Sequence, residues 1–322
     1  MTTNVVREEG TIAVVGETLV DLVQLGAGGL FDAVPGGSPA NVAVGLARLE
    51  IPVRMIARLS DDILGRRLRA HLAKNRVDLS HAVAVTEPST LAIVAVGLDG
   101  RPEYEFRMDR TADWQWRDEE LASAIDASVV AVHSGSLALT RSPGAEAIVR
   151  LLQRARATAT VTYDPNCRPL VMDSPTETLT RVEELLEIAD VVKASAEDVA
   201  WLLPGRELED VCAEWLAVGP ALVAITLGED GVVAIGPESG VVRRSGRSVD
   251  VVDTVGAGDA FTSALIASLH GRGLLGEARR EQLRAIDAAA LAEALDEAVL
   301  ASALSCTRRG AEPPTRAELA SL

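Results

Sequence analysis

Short apolar runs closed by a glycine or a polar stop recur along the chain, and segments of helical spacing separate them. TIAVVG (11–16) has the pattern of a buried strand, NVAVGLARLE (41–50) that of a helix, VRMIARL (53–59) that of the next strand, and LGRRLRAHLAKN (64–75) that of an amphipathic helix. The same rhythm predicts a strand over SVVAVHSG (128–135), a helix over SPGAEAIVRLLQRARA (142–157) and a strand ending in a turn over TVTYDPN (160–166). ADVVKAS (189–195) and ALVAITLG (221–228) repeat the strand pattern. Strands alternating with helices predict a mainly parallel sheet covered on both faces. Ligands of such sheets sit outside the carboxyl ends of the strands, so the polar stops are where chemistry is expected.

One region breaks the alternation. STLAIVAVGLDGRPEYEFRM (89–108) reads as two strands joined by a Leu-Asp-Gly-Arg-Pro turn with no helix between them, hence an antiparallel hairpin. A hairpin attached to a parallel sheet suggests a lid or an interface. No linker, internal repeat or low-complexity tract interrupts the 322 residues, and the expectation is a single domain over 1–322 with lid strands near 17–35 and 89–108.

Composition narrows the function. Hydrophobic residues make up 48% and aromatics only 3%, which predicts an aliphatic core. A formal net charge of -16 without a sustained basic run argues against nucleic acid and anionic membranes as partners. The three cysteines, Cys167, Cys212 and Cys306, lie far apart, and the four histidines lack metal-ligand spacing, so neither a disulfide framework nor a zinc cluster is indicated. The N-terminus lacks a signal-peptide apolar region and no apolar run approaches a membrane span, which predicts a reduced, cytoplasmic protein.

The most informative stretch is DTVGAGDAF (253–261), where a carboxylate follows Gly-Ala-Gly directly before the helical segment FTSALIASLHG (261–271). Small residues at a helix N-terminus expose free N–H groups to an anion, and the helix dipole adds partial positive charge. An acid in the first turn complements that dipole, which is one reading of Asp259. The other is a general base: with a phosphoryl group resting on the N–H groups of Gly256, Ala257 and Gly258, Asp259 can take the proton of an attacking hydroxyl.

The string resembles the C-terminal signature of the ribokinase-like (PfkB) carbohydrate kinases, and GGSPANVAVGLARL (36–49) resembles their N-terminal signature. GETLVDL (16–22), DPNCRPL (164–170), ITLGEDG (225–231) and SCTRRGAEPP (305–314) extend the resemblance over most of the chain, closest in motifs to fructokinases. It implies a doubly wound α/β fold with a small β lid, and ATP-dependent phosphorylation of a sugar with Mg²⁺. Asp21, Gly36, Gly37 and Asn41 would contact the sugar, Arg168 phosphate or substrate, and Ser195, Thr226, Gly228 and Gly231 the nucleotide. Taken alone Asn41 also reads as a helix cap, a reading that the second motif outweighs, and Arg107 reads either as a lid contact or as a surface ion pair. The family commonly carries Asn-x-x-Glu where this chain has Ser195-Ala196-Glu197-Asp198, so Asp198 or Glu197 would hold Mg²⁺ through water. Asp253, Val255, Ser305, Arg308 and Gly310 are implied as a K⁺ site, mostly through backbone, and a homodimer through the lid is implied as well. Fructose is the first acceptor suggested and 2-keto-3-deoxygluconate the second, because both groups share Asp-Pro-Asn-x-Arg. A catalytically silent sugar-binding relative is the alternative of another class. A dinucleotide enzyme is disfavoured because no GxGxxG follows the first strand.

Overall fold

The computed structural model of the chain describes residues 10–25, 29–96 and 102–321. The strands in chain order are β1 (Thr11–Val15), β2 (Leu19–Leu25), β3 (Leu30–Gly36), β4 (Val53–Ile56), β5 (Arg58–Ser60), β6 (Val83–Val85) and β7 (Leu91–Val96). There follow β8 (Pro102–Arg107), β9 (Val129–Gly135), β10 (Thr160–Asp164), β11 (Val191–Ser195), β12 (Leu222–Thr226), β13 (Val232–Gly236) and β14 (Gly240–Arg244). Eight of them form one sheet in the order β14-β13-β12-β11-β10-β9-β1-β4. It is parallel from β4 to β12, and β13 and β14 extend it antiparallel.

The apolar strand runs explain this sheet, because a strand buried on both faces must be apolar at every position. In β1, Ile12 and Val14 face one core while Ala13 and Val15 face the other. Leu222 and Ala224 alternate with Val223 and Ile225 in the same way on β12. Helices Ser38–Arg48, Ile63–Lys74, Ala257–Gly271 and Ala288–Cys306 contribute to the first core, and Gly144–Ala155, Pro175–Leu186 and Leu208–Val218 to the second. Among the described residues, no helix is long and apolar enough to cross a membrane.

Strand β1 has β4 on one side and β9 on the other, so the chain order reverses beside β1. The carboxyl ends of β1 and β9 flank that switch point, where open α/β sheets bind ligands, and those of β10, β11 and β12 continue along the same edge. A second sheet of order β3-β2-β7-β8 stands apart. Its β7–β8 pair is antiparallel with Leu91 opposite Arg107, as the sequence pattern predicts; the connecting Leu-Asp-Gly-Arg-Pro turn lies almost wholly outside the described residues.

The expected strand 53–59 is two strands rather than one. It breaks at Ala57, and β5 leaves the main sheet to pair with β6. The cause is Arg58, whose side chain is buried yet charged and must find carboxylates. Its guanidinium donates to Glu87 Oε1 at 2.6 Å, to Ala112 O at 3.0 Å and to Glu120. That network ties the strand to the segment that follows β8.

Candidate active site

The site is assembled where two helices cross. Gly37 adopts φ 101° as the cap before helix Ser38–Arg48, and a Cβ there would lie 2.7 Å from Glu17 O, so only glycine fits. Gly256, at φ 76°, caps helix Ala257–Gly271, and a Cβ on it would meet Ala311 Cβ at 2.5 Å. The two helices approach closely through Gly45, whose missing side chain leaves room for Ser263.

This crossing brings together the two signatures that the sequence separates. Ser38 Oγ donates to Asp259 Oδ1 at 2.6 Å, and Asn41 Nδ2 donates to Asp259 Oδ2 at 2.8 Å. Asn41 therefore holds the Asp259 carboxylate itself. Asp259 is buried in the first turn of its helix. The intrahelical ladder starts with Ala260 N donating to Gly256 O, which leaves the Gly258 and Asp259 N–H groups outside it. The Ala257 N–H donates back to Thr254 O at 3.2 Å.

Asp21, on β2, stands beside this centre. Burial pushes its carboxyl up to about 6; the nearby Arg168 opposes the rise and the Asp259 charge adds to it. A Cβ on Gly36 would lie 2.2 Å from Asp21 Oδ2, so Gly36 leaves the space that the carboxylate fills. Arg168 is exposed and donates to Cys167 O at 2.9 Å. Arg107 is engaged elsewhere: it pairs with Glu105 at 2.5 Å, both side chains more than half exposed, and neither Asp21, Asn41 nor Asp259 bonds to it.

Beneath the glycines lies a charged cluster that sequence reasoning did not find. Lys193 Nζ donates to Asp164 Oδ2 at 3.0 Å and sits 3.0 Å from where a Cβ on Gly258 would be. Thr262 Oγ1 also reaches Asp164 Oδ2, at 3.3 Å. Burial raises the Asp164 carboxyl to about 6, although Lys193 pulls it down. Burial disfavours the charge on Lys193, but Asp164, Asp198 and Asp259 outweigh it and hold the ammonium above its ordinary range. The apolar spacing of ADVVKAS gave no sign that its lysine points inward to a carboxylate.

Sequence reasoning also missed a second buried acid pair behind β1. Glu17 Oε2 accepts from Ala138 N at 3.2 Å, and Asp113 accepts from Thr18 N at 2.9 Å and Thr90 Oγ1 at 2.5 Å. Burial, reinforced by the Asp113 charge, raises Glu17 to about 8, so it is largely protonated near neutral pH.

At the carboxyl end of β11, Ser195 Oγ and Asp198 form a reciprocal cap on helix Ala196–Leu202. Asp198 Oδ1 accepts from Cys167 N at 2.6 Å and Oδ2 from Ser195 N and Oγ at 2.8 Å, while Glu197 is exposed. Thr226 Oγ1 donates to Ala194 O at 3.3 Å at the end of β12. Gly228 faces open space, whereas a Cβ on Gly231 would lie 2.0 Å from Arg244 O, so Gly231 closes the turn before β13. Among the described residues no cluster of three or more His, Cys, Asp or Glu could hold a metal by itself. The 253–255 and 306–310 loops are joined, with Asp253 accepting from Val255 N at 3.0 Å and Gly310 N at 2.8 Å. Ser305 Oγ is buried without a hydrogen-bond partner, and Arg308 turns away to pair with Glu318.

A family model for pfkB family carbohydrate kinases matches residues 10–318. The chain belongs to that family. It is a sugar kinase, and the motifs at Gly36–Asn41 and Asp253–Phe261 are the ones its fold draws together. It is 34% identical over 281 residues to a fructokinase of Rhizobium leguminosarum bv. trifolii, covering 86% of this chain and 84% of the relative. Among solved structures, the fructokinase of Xylella fastidiosa with bound ATP superposes with a TM-score of 0.89 at 28% identity over 98% of each chain. The fructokinase of Vibrio cholerae O395, bound to fructose, ADP and calcium, gives 0.81 at 27% identity over 98% of this chain and 99% of its own. The ribokinase-like fold expected from the sequence is the fold observed.

Proposed function

We propose that the chain transfers the γ-phosphoryl group of ATP to a hydroxyl of fructose, with Asp259 as the base. The observation that carries this reading is the placement of Asp259: a buried carboxylate in the first helical turn, oriented by Ser38 and Asn41 and next to Asp21. Asp21, Gly36 and Gly37 define the sugar side. Asp259 takes the proton as the sugar oxygen attacks, and the N–H groups at the helix start, chiefly that of Gly258, stabilise charge on the transferring oxygens. Lys193 supplies positive charge beneath the same turn. Arg168 is the exposed cation that approaches the phosphoryl group or the sugar.

Ser195, Thr226 and Gly228 line the nucleotide side. A bound Mg²⁺ would neutralise charge on the nucleotide phosphates, and Glu197 would be the carboxylate to hold it through water, since Asp198 is committed to capping. The joined loops at Asp253 and Gly310, with the backbone of Val255, Ser305 and Arg308, fit a K⁺ ion held by carbonyls. Leu25, Leu30 and Phe31 are exposed at the end of the β2–β3 hairpin, which supports a homodimer through the small sheet. A protein that draws on ATP in this way would work in the cytoplasm.

Fructose fits better than 2-keto-3-deoxygluconate because the acceptor side carries two carboxylates, Asp21 and Asp259, beside the exposed Arg168, while the Lys193 ammonium beneath the turn is already paired with Asp164. A sugar acid would meet repulsion there, and Arg107 is neutralised by Glu105. Comparison of kcat/KM for fructose, 2-keto-3-deoxygluconate, ribose and tagatose with ATP and Mg²⁺ tests the assignment. Fructose should lead by at least tenfold. A lead for the sugar acid would move the assignment to that acceptor, and silence on every sugar would point to a binding protein.

A further inference from the structure

Both oxygens of Asp259 are engaged by the protein's own donors, and the two donors differ in chemistry. Asn41 contributes an amide N–H, whereas Ser38 contributes an aliphatic hydroxyl, the kind of group a sugar presents to a base. A general base meets its substrate hydroxyl at about 2.6–3.2 Å, and Ser38 Oγ stands 2.6 Å from Oδ1. Ser38 and Asp259 are each only 8% exposed, so bulk water has little access to this lone pair. Ser38 is also the first residue of its helix, between Gly37 and Pro39, which restrains the oxygen from moving forward with its backbone.

We propose that Ser38 is a positioning residue that gates the base: its hydroxyl occupies Asp259 Oδ1 until a sugar hydroxyl replaces it, and so suppresses phosphoryl transfer to water. The suppressed reaction is ordinary hydrolysis. A water oxygen forms a bond to the γ-phosphorus, its proton passes to Asp259, and the bond to the ADP oxygen breaks, giving ADP and inorganic phosphate. This role was not legible in the chain, because a serine before proline is common at the start of a helix and needs no further explanation there.

The gate rests on Asp259 being the base, and the experiment separates the two claims. Purified full-length Ser38→Ala is assayed with ATP and Mg²⁺, without sugar, for inorganic phosphate. Removal of the hydroxyl lets a water take the Oδ1 lone pair, and hydrolysis should rise at least tenfold over wild type. With fructose present, KM should fall because the sugar no longer competes with Ser38, while kcat stays at or below the wild-type value. Ser38→Thr keeps a hydroxyl and should restore low hydrolysis. The gain should vanish in Ser38→Ala/Asp259→Asn. Hydrolysis unchanged in Ser38→Ala with the fold intact by thermal melting overturns the gate, as does phosphate found covalently on Ser38 by mass spectrometry of the wild type. Sugar transfer that survives Asp259→Asn alone overturns the base assignment instead.

Discussion

The helix crossing at Gly45 is what places Ser38 and Asn41 on Asp259, so Gly45→Ala should damage activity more than stability. A Cβ on Gly45 would lie 2.3 Å from Ser263 Oγ and 2.6 Å from Ser263 Cβ. The hydroxyl can rotate away, but the Cβ is fixed to its helix. Restoring carbon contacts of about 3.5–4.0 Å requires the two helices to separate by roughly 1 Å. Overpacking of this kind costs about 1–3 kcal/mol, and replacing glycine by alanine in a helix returns about 1 kcal/mol. The net loss is about 0–2 kcal/mol. With an unfolding entropy near 2.1 cal/mol/K per residue, a chain of this length loses only about 1.5 °C in Tm per kcal/mol. Catalysis is far less tolerant, since a misplacement of about 1 Å costs up to about 100-fold. Ser38 and Asn41 lie seven and four residues before Gly45, on the same helical face, so they move with it. The assay is kcat with fructose and ATP alongside a thermal melt: Tm should drop by no more than about 3 °C while kcat falls by more than tenfold. Ser263→Gly removes the atom that obstructs the new methyl, and Gly45→Ala/Ser263→Gly should recover most of the lost kcat. Wild-type kcat in Gly45→Ala, or no recovery in the double variant, would refute the reasoning.

The buried charges give two further expectations. Glu17 is raised from 4.5 to about 8 in the folded protein, which therefore binds more protons than the unfolded chain between those values, and stability must fall as pH rises through that window. Glu17→Gln keeps a carbonyl for the Ala138 N–H and should flatten the decline in urea midpoint between pH 5 and pH 8; parallel profiles for variant and wild type would show that Glu17 is ionised when folded. Lys193→Met leaves Asp164 buried without its cation, a loss of about 3–5 kcal/mol. Because the Asp164 carboxyl is already raised to about 6 and would rise further, the deficit should be smaller at pH 5 than at pH 8. An equal deficit at both pH values would mean that packing, not charge, is what Lys193 provides.

Much of the sheet was legible because apolar strands and amphipathic helices carry their periods in the sequence. The split at Ala57 was not, since it follows from Arg58 seeking Glu87 and Glu120, partners that only the tertiary fold brings near. At the site, the Gly-Ala-Gly-Asp turn and Asp21 were legible from residue chemistry and family resemblance. The bonds of Ser38 and Asn41 to Asp259 span more than 200 positions and depend on a crossing whose local signature is a single glycine, Gly45. Lys193 and Glu17 were hidden for a related reason. Each is one polar residue in or beside an apolar run, and its protonation is set by surroundings that only the fold assembles, burial for Glu17 and the neighbouring carboxylates for Lys193. Gly231 has a structural role that the motif did not show: at φ 105° it closes a turn against Arg244.

The most direct test of the central claim is phosphoryl transfer by Asp259→Asn. The amide keeps the size of the side chain and an acceptor for one of its two donors, but it cannot take a proton. ADP release with fructose, ATP and Mg²⁺ should fall by about 10²–10⁴-fold, with fructose binding retained by calorimetry. Turnover within a few-fold of wild type would contradict the account, because the proton would then have to leave the sugar hydroxyl without Asp259.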